Sequence, residues 1–373
     1  MTRRDCSFSM MLAAGGTGGH VLPAVAFGRW LNREKPGVNV SYMSGSRAIE
    51  LEIYKAFGIK PFVLKTSGSP MGVPGIRRIK RFAELAVSFL QANDFMKKTS
   101  TDICVLFGGY ISIPALFAGK VRGIRSLLHE QNALAGRVTR IAAHLRIPIA
   151  SGWENCEPLS GSRYTHVGVP IRRLENVEKD EARRLLGLND SDGRRPVVTV
   201  MAGSLGSGKI SGILSELTVL DCFSSWKFLI IDSGVDVSRN PSKNVTQMPK
   251  MWDISALYAA SDVMITRGGA STLSEIAALG IPSVVVPWRK ASDDHQMKNA
   301  LAALSEKIEI WDEEKDSLMD LSDKLQKLYA KYCGENGDSD NLLYNACEVG
   351  EKNCRRLWEF IADFMRGDVG FGN

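Results

Sequence analysis

No stretch of this chain reaches 18 consecutive apolar residues, so it holds no run long enough to cross a bilayer as a helix. No two cysteines form a CxxC pair. The seven present (Cys6, Cys104, Cys156, Cys222, Cys333, Cys347 and Cys354) are odd in number and scattered. That pattern offers neither a zinc site nor a disulfide frame, and it suits a reducing cytosol. Repeats and low-complexity tracts are absent. A secretory leader is poorly represented too. Arg3 and Arg4 precede the apolar Phe8–Ala14, but that run is short, is broken by Ser9 and feeds directly into a glycine loop that needs it as a strand.

What is present is ordinary globular material, 44% hydrophobic and 24% charged, over 373 residues. That length exceeds one ordinary core and predicts two domains. Charge is unevenly spread. Up to Arg172 there are 23 Lys+Arg against 10 Asp+Glu, and beyond it 24 against 31. A basic half joined to an acidic half suits a protein in which one domain meets an anionic surface, or simply one solvated basic face.

Strand-like apolar runs alternate with helical patterns. Ser9–Ala14, Val38–Met43, Ile103–Phe107, Ser126–His129 and Ile147–Ala150 read as strands, with a helix from about Leu22 to Arg33 after the first. The rhythm restarts after the charged stretch Arg172–Asp192 with Pro196–Met201, Lys227–Asp232, Val263–Thr266 and Ser283–Val286. Such alternation predicts α/β architecture with two successive doubly wound parallel sheets. The expected domains are 1–172 and 173–340, with a C-terminal helix in 341–373 that packs back on the first. Its Leu357, Phe360, Ile361 and Phe364 fall on one helical face. Ligands of such sheets sit at the carboxyl ends of the strands, and the cleft between two such domains is the default site.

Three glycine loops follow strands. The first, Gly15–His20, reads GGTGGH. It lets an oxygen-rich group approach backbone amides at a helix start, or it is only a tight turn. It is not the dinucleotide fingerprint, because Val21 stands where the last glycine belongs. His20 opens the helix, whose positive end disfavours an imidazolium; a neutral ring there suits a general base or merely caps the loop. The second loop, Ala202–Ile210, resembles Walker A through Gly203, Gly208 and Lys209, but Ile210 replaces the magnesium-holding hydroxyl. The third, Thr266–Glu275, places small and hydroxyl residues before the apolar run Leu273–Leu279. Glu275 there fits a ribose diol, or closes a capping box with Thr272 as N-cap.

Two polar segments also follow strands. His129-Glu130-Gln131-Asn132 is costly to bury unless partnered by a polar ligand or by a buried network between the domains. Asp293-Asp294-His295-Gln296 invites a metal, yet no second histidine lies nearby in sequence.

Together these segments resemble the MurG family of bacterial cell-wall glycosyltransferases. The matches are GGTGGH at Gly15–His20, Phe107-Gly108-Gly109-Tyr110 with Ser112 and Pro114, HEQN at His129–Asn132, Gly203-Ser204, the loop ending at Glu275, and His295-Gln296 with Asn299-Ala300. The resemblance implies a GT-B architecture, two Rossmann-like domains facing across a cleft. It also implies inverting transfer of GlcNAc from UDP-GlcNAc to lipid I (undecaprenyl-pyrophosphoryl-MurNAc-pentapeptide), giving lipid II in peptidoglycan synthesis. By the same resemblance Met251 lies at the uracil, Ser204 and Ala270, Ser271, Thr272, Leu273, Ser274 and Glu275 at diphosphate and ribose, and Gln296 with His295 at the GlcNAc hydroxyls. Arg172 is expected near the nucleotide. Thr17, Gly18, Gly19 and Asn132 approach the transferred sugar, and His20 is the base for the acceptor 4-hydroxyl. Three positions depart from the family pattern: Val169, Leu205 and Thr139.

No metal or cofactor is implied, since no carboxylate pair is placed for one; helix N-termini and loop amides stabilise the leaving diphosphate instead. The implied partners are UDP-GlcNAc, lipid I and the anionic cytoplasmic face of the cell membrane, bound peripherally. Nucleic acid is not among them; other cell-wall proteins are compatible. The segment Ile76–Phe82, continued by Leu85, Val87, Phe89 and Leu90, sets cations beside apolar side chains and suits that leaflet; a helix with a solvated basic edge reads equally from the residues. Rival readings are a GT-B transferase for another lipid, a sugar-nucleotide epimerase and a non-catalytic UDP-sugar binder. HEQN favours the cell-wall branch, and the joint presence of His20 and Glu275 disfavours the binder.

Overall fold

The computed structural model describes residues 8–66, 68, 74–188, 195–201, 208–231, 243–333 and 342–367. The chain divides into two compact units, Met1–Arg172 with Gly350–Asn373, and Arg173–Val349.

The first unit carries strands β1 (Phe8–Ala13), β2 (Val38–Ser44), β3 (Phe62–Val63), β4 (Ile103–Leu106), β5 (Arg125–Glu130), β6 (Ile149–Ser151) and β7 (Thr165–His166). Its helices are α1 (Gly18–Glu34), α2 (Ala48–Ala56), α3 (Ile76–Lys98), α4 (Ser112–Val121) and α5 (Arg137–His144). All strand pairs are parallel, in the order β3-β2-β1-β4-β5-β6-β7. This is the doubly wound order, and winding reverses between β1 and β4. Met11 and Ala13 of β1 and Cys104 and Leu106 of β4 lie in one buried cluster with Ala115 and Leu116 of α4.

The second unit repeats the plan with β8 (Val197–Met201), β9 (Lys227–Ile231), β10 (Val245–Met248), β11 (Val263–Thr266), β12 (Ser283–Val285) and β13 (Ile308–Ile310). Helices α6 (Lys179–Leu185), α7 (Gly208–Leu217), α8 (Ser255–Ala260), α9 (Ala270–Leu279), α10 (His295–Ala303) and α11 (Leu318–Tyr332) accompany them, and α12 (Leu342–Arg366) ends the described chain. The sheet order is β10-β9-β8-β11-β12-β13, again parallel, with the reversal between β8 and β11. Val198 and Val200 of β8 and Ile265 of β11 pack with Phe228 and Leu325 in its core.

The expected α/β, doubly wound character is present in both units. Two helix starts differ from expectation. Helix α1 begins at Gly18 rather than Leu22: Thr17 is extended (φ −145°, ψ 165°), and its carbonyl accepts from the His20 and Val21 amides, both at 3.2 Å. Helix α9 begins at Ala270 with Gly269 as its N-cap, so Thr272 is not the cap and the capping-box alternative for Glu275 does not form. The strands not read from the sequence, β3, β7, β10 and β13, run two to four residues and lie at or next to the sheet edges.

Side chains of α12 tie its later turns to the first unit. Asn353 Nδ2 donates to the Val169 carbonyl at 2.9 Å, Arg33 pairs with Glu351, and the Lys35 ammonium lies 5.6 Å from the Trp358 ring centre.

In the second unit, Asp262 sits just before β11 and is 6% exposed. Its carboxylate takes the Val197 amide at 2.7 Å, the Arg183 guanidinium at 2.9 Å and the Lys179 ammonium, clamping α6 to the sheet. Removing one partner of a buried pair leaves the other charge uncompensated. Asp262→Ala, which strands buried Arg183, is expected to lower unfolding free energy by roughly 3–5 kcal/mol, measured by urea denaturation.

Candidate functional site

Both winding reversals leave adjacent strands whose carboxyl-terminal loops turn to opposite faces, which is where ligands of such sheets bind. In the first unit these loops are Ala14–Thr17 after β1 and Phe107–Ile111 after β4. In the second they are the segment after β8, which includes Ser204 and Leu205 and lies outside the described residues, and Arg267–Gly269 after β11.

The first pair of loops interlocks. Gly109 holds φ +77°, and a Cβ there would overlap the Gly15 carbonyl oxygen; at Gly108 (φ +88°) a Cβ would lie 3.0 Å from the His20 ring. Glycine is required at both by backbone conformation and by contact. Beneath them lies Glu50 of α2, fully buried. Its carboxylate accepts from the Gly16 amide and from the Tyr110 hydroxyl (3.0 Å), and Arg47 Nη1 donates to the Gly16 carbonyl at 3.1 Å. Burial, with Glu50 beside it, pushes the Tyr110 phenol well above its ordinary range, so Tyr110 stays a donor. The Gly16 amide is therefore occupied from within. Thr17, Gly18, Gly19 and His20 are half-buried at the exposed edge of the turn, where the first amides of a helix favour an anion.

HEQN forms the next layer. The Glu130 carboxylate, 4% exposed, accepts from the Asn132 amide (2.9 Å), the Asn132 side-chain NH2 (2.9 Å), the Gly136 amide (2.9 Å) and the Thr139 hydroxyl. Thr139, a departure from the family pattern, thus supplies a donor to the same carboxylate. His129 and Gln131 are buried as well, and only Asn132 of the four is half-buried. Gln131 Oε1 lies 2.8 Å from His20 Nδ1, and its Nε2 lies 3.0 Å from His129 Nδ1. His129 Nε2 lies 2.9 Å from the Gly168 carbonyl oxygen, and its ring stacks on Phe107 at 5.5 Å. Burial holds the His129 imidazole neutral, lowering its pKa to about 4, partly offset by the Gly168 carbonyl. Three of the four residues are engaged in a network that lies within the first unit, not between the domains as one sequence reading had it, and Asn132 alone is half-buried. Val169, another departure, is buried against Gly152.

In the second unit, α9 opens at Ala270 with helical amides directed at whatever lies beyond Gly269. Thr272 and Ser274 are half-buried, while Ala270 and Ser271 are buried. Leu273 is fully buried and its amide donates to the Gly269 carbonyl at 3.0 Å, so its side chain belongs to the core and not to a ligand surface. Glu275, 1% exposed, accepts from the Tyr258 hydroxyl at 2.6 Å. Gln296 Oε1 accepts from the Gly268 (3.2 Å) and Trp288 (2.9 Å) amides, and Asn299 Nδ2 donates to the Gly268 carbonyl at 3.0 Å. A Cβ at Gly268 would overlap the Gln296 backbone. Gln296 therefore braces this loop through its carbonyl. His295 begins α10 and is half-buried, and Asp294 pairs with Arg289 at 2.7 Å. Met251 and Arg172 are half-buried, at the segment after β10 and at the end of the first unit's N-terminal stretch. Arg267 is turned inward to Glu313 and the Val286 carbonyl, at 3.3 and 3.0 Å.

Glu50 and Tyr258 have no sequence signal of their own. Glu50 lies in an ordinary amphipathic helix and Tyr258 in an apolar one; only their burial against loop residues marks them.

Two Rossmann-like parallel sheets, with glycine-bearing strand-to-helix turns after β1 and β11, give the GT-B type of fold. Family comparison agrees: the glycosyltransferase family 28 N-terminal domain matches residues 10–150, and the family 28 C-terminal domain matches residues 197–354. A relative from Ectopseudomonas mendocina (strain ymp), named UDP-N-acetylglucosamine--N-acetylmuramyl-(pentapeptide) pyrophosphoryl-undecaprenol N-acetylglucosamine transferase, is 32% identical over 300 residues, 78% of this chain and 81% of its own. One of the same name from Acetivibrio thermocellus is 25% identical over 371 residues, 96% of this chain and 98% of its own. The crystal structure of Acinetobacter baumannii MurG superposes with a TM-score of 0.63 at 23% identity, covering 96% of this chain and 99% of that one. A UDP-N-acetylglucosamine 2-epimerase superposes with 0.62 at 11% identity, covering 97% and 98%, so the fold by itself does not separate transfer from epimerisation. The chain belongs to glycosyltransferase family 28 and, within it, to the MurG family.

The buried neutral His129 has a thermodynamic consequence. An unfolded histidine takes up a proton near 6.5, the native one near 4. Between these values the unfolded chain binds more protons, so stability is intact above about pH 6.5 and is lost as pH falls toward 4. Wild type is expected to lose about 3 kcal/mol more than His129→Asn between pH 7 and pH 4, read from urea midpoints at each pH.

Proposed function

We propose that this chain transfers GlcNAc from UDP-GlcNAc to the 4-hydroxyl of lipid I, inverting the anomeric carbon to give the β1→4 linkage of lipid II. The observation that carries this reading is the set of relatives of that named activity, one of them 32% identical over 78% of this chain and 81% of its own. The polar HEQN layer against the first glycine turn supports the cell-wall branch. In this reading His20 takes the acceptor proton as UDP leaves, in one displacement without a covalent intermediate. Thr17, Gly18, Gly19 and Asn132 meet sugar and acceptor groups. The opening of α9, with Ala270, Ser271, Thr272 and Ser274, meets the donor diphosphate through its amides and hydroxyls. Glu275, oriented by Tyr258, takes the ribose diol. Ser204, Met251, Arg172 and His295 complete the nucleotide and sugar contacts, and Gln296 does so through its NH2 group while its carbonyl holds the loop.

The acceptor's lipid requires contact with a bilayer, and among the described residues no helix is long and apolar enough to cross one. Helix α3 supplies a surface for such contact. Ile76 (82% exposed), Ile79, Phe82, Val87 and Leu90 stand out from the unit, with Arg77, Arg78 and Lys80 exposed among them. Apolar side chains bordered by cations suit an anionic leaflet, each cation contributing about 1 kcal/mol near its surface. This reading places the enzyme peripherally on the cytoplasmic face of the cell membrane.

Incubation with labelled UDP-GlcNAc and lipid I is expected to move label into the lipid product, and label released as free sugar without acceptor would instead indicate epimerase-type chemistry. His20→Ala is expected to lower kcat by roughly 10²–10⁴ with little change in KM for UDP-GlcNAc; turnover equal to wild type would remove His20 from the base role. Reversing Arg77, Arg78, Lys80 and Arg81 to Glu is expected to weaken sedimentation with anionic vesicles roughly 10²-fold or more, while sparing turnover of a short-chain acceptor.

A further inference from the structure

Four groups of the first unit form an unbroken hydrogen-bonded line: the Gly168 carbonyl, His129, Gln131 and His20. The polarity of that line is set by its geometry. A carbonyl oxygen only accepts, so His129 Nε2, 2.9 Å from the Gly168 oxygen, carries a hydrogen. In a neutral ring Nδ1 is then the acceptor. It receives from Gln131 Nε2 at 3.0 Å, and that same NH2 group also donates to the His129 carbonyl oxygen at 2.7 Å. The second contact fixes the amide independently, because turning it over would set two oxygens against each other. Gln131 Oε1 is left facing His20 Nδ1 at 2.8 Å, and it can only accept. The hydrogen of a neutral His20 therefore sits on Nδ1, and Nε2 holds the lone pair. Running the line the other way places lone pairs together at Gly168 and at the His129 carbonyl, both buried, where an unmet acceptor is costly.

We propose that Gln131 and His129 are positioning residues that lock His20 in the Nδ1–H form and so present Nε2 as the proton-accepting nitrogen. The inference rests on the reading that His20 takes the acceptor's proton, and it adds which nitrogen does so and what selects it. A base presented in the wrong tautomer is a poor base even with its geometry intact. Neither residue meets substrate in this account. The stacking of His129 on Phe107 (5.5 Å) and the Trp153 Nε1 bond to the Gln131 backbone carbonyl (2.8 Å) hold the line in place.

The test is tautomer assignment by nitrogen NMR on protein carrying 15N-labelled histidine. The chain has five histidines, and His20 and His129 are assigned by loss of their signals in His20→Ala and His129→Asn. In the wild type His20 is expected as Nδ1–H with bare Nε2, and His129 as the opposite form, Nε2–H with bare Nδ1. His20 found with its hydrogen on Nε2, or exchanging between forms, overturns the inference without reference to any variant. Gln131→Met, close in length but without the amide, is expected to move His20 to the Nε2–H form. It is expected to lower kcat roughly 10²-fold, at the lower end of what a general base supplies, with KM for UDP-GlcNAc unchanged. If His20→Ala is inactive while Gln131→Met keeps both wild-type spectrum and wild-type turnover, the positioning role fails and the base role survives. If His20→Ala keeps full turnover, the base role fails, and the wild-type spectrum judges the hydrogen-bonded line by itself.

Discussion

A parallel strand can reach its neighbour only by a crossover along one face of the sheet, and a sheet covered on both faces must reverse that winding once. Each unit does so beside its first strand, at β1/β4 and at β8/β11. In the first unit the loops leaving those strands part to opposite faces and open a gap no strand fills. The other features of the candidate site follow from that placement. Glycines permit the turns, helices α1 and α9 begin within them, and the polar segments of the chain border them.

Two buried carboxylates shape the first of these gaps, although the helix start beside them is suited to anions. Glu50 takes the Gly16 amide and Glu130 takes four donors from the segment that follows β5. Each is fully used by the protein, so each sets loop shape and neither is directed outward as a nucleophile or a metal ligand. Arg47, bonded to the Gly16 carbonyl and 4.9 Å from the Tyr110 ring centre, places a positive charge near Glu50. In the second unit the Glu275 carboxylate accepts from the Tyr258 hydroxyl, which orients it.

The α/β plan was legible because alternating apolar runs and glycine turns are local features, and both reversals carry a glycine loop. Residue types at the loops were legible for the same reason. Helix starts were less so: Gly18 and Ala270 precede the apolar residues that betray a helix, the Thr17 side chain makes no capping hydrogen bond, and Gly269 has no side chain to offer one. The short strands β3 and β7 show no period. The division of labour within HEQN was hidden as well. Sequence displays four polar residues, but which of them look inward depends on Gly136, Thr139 and Gly168, up to 39 positions away. Leu273, grouped with the Thr266–Glu275 loop by resemblance, has a fully buried side chain, which the sequence does not display.

The completeness of the Glu130 contacts bears on the energetics of recognition. A loop whose donors are already engaged has met the entropic cost of its ordering when the chain folds, so little of a ligand's binding energy is diverted to arranging it. Asn132, tethered to Glu130 through both its amide and its side-chain NH2, is held in place on folding, so whatever meets it encounters fixed geometry instead of an adapting side chain.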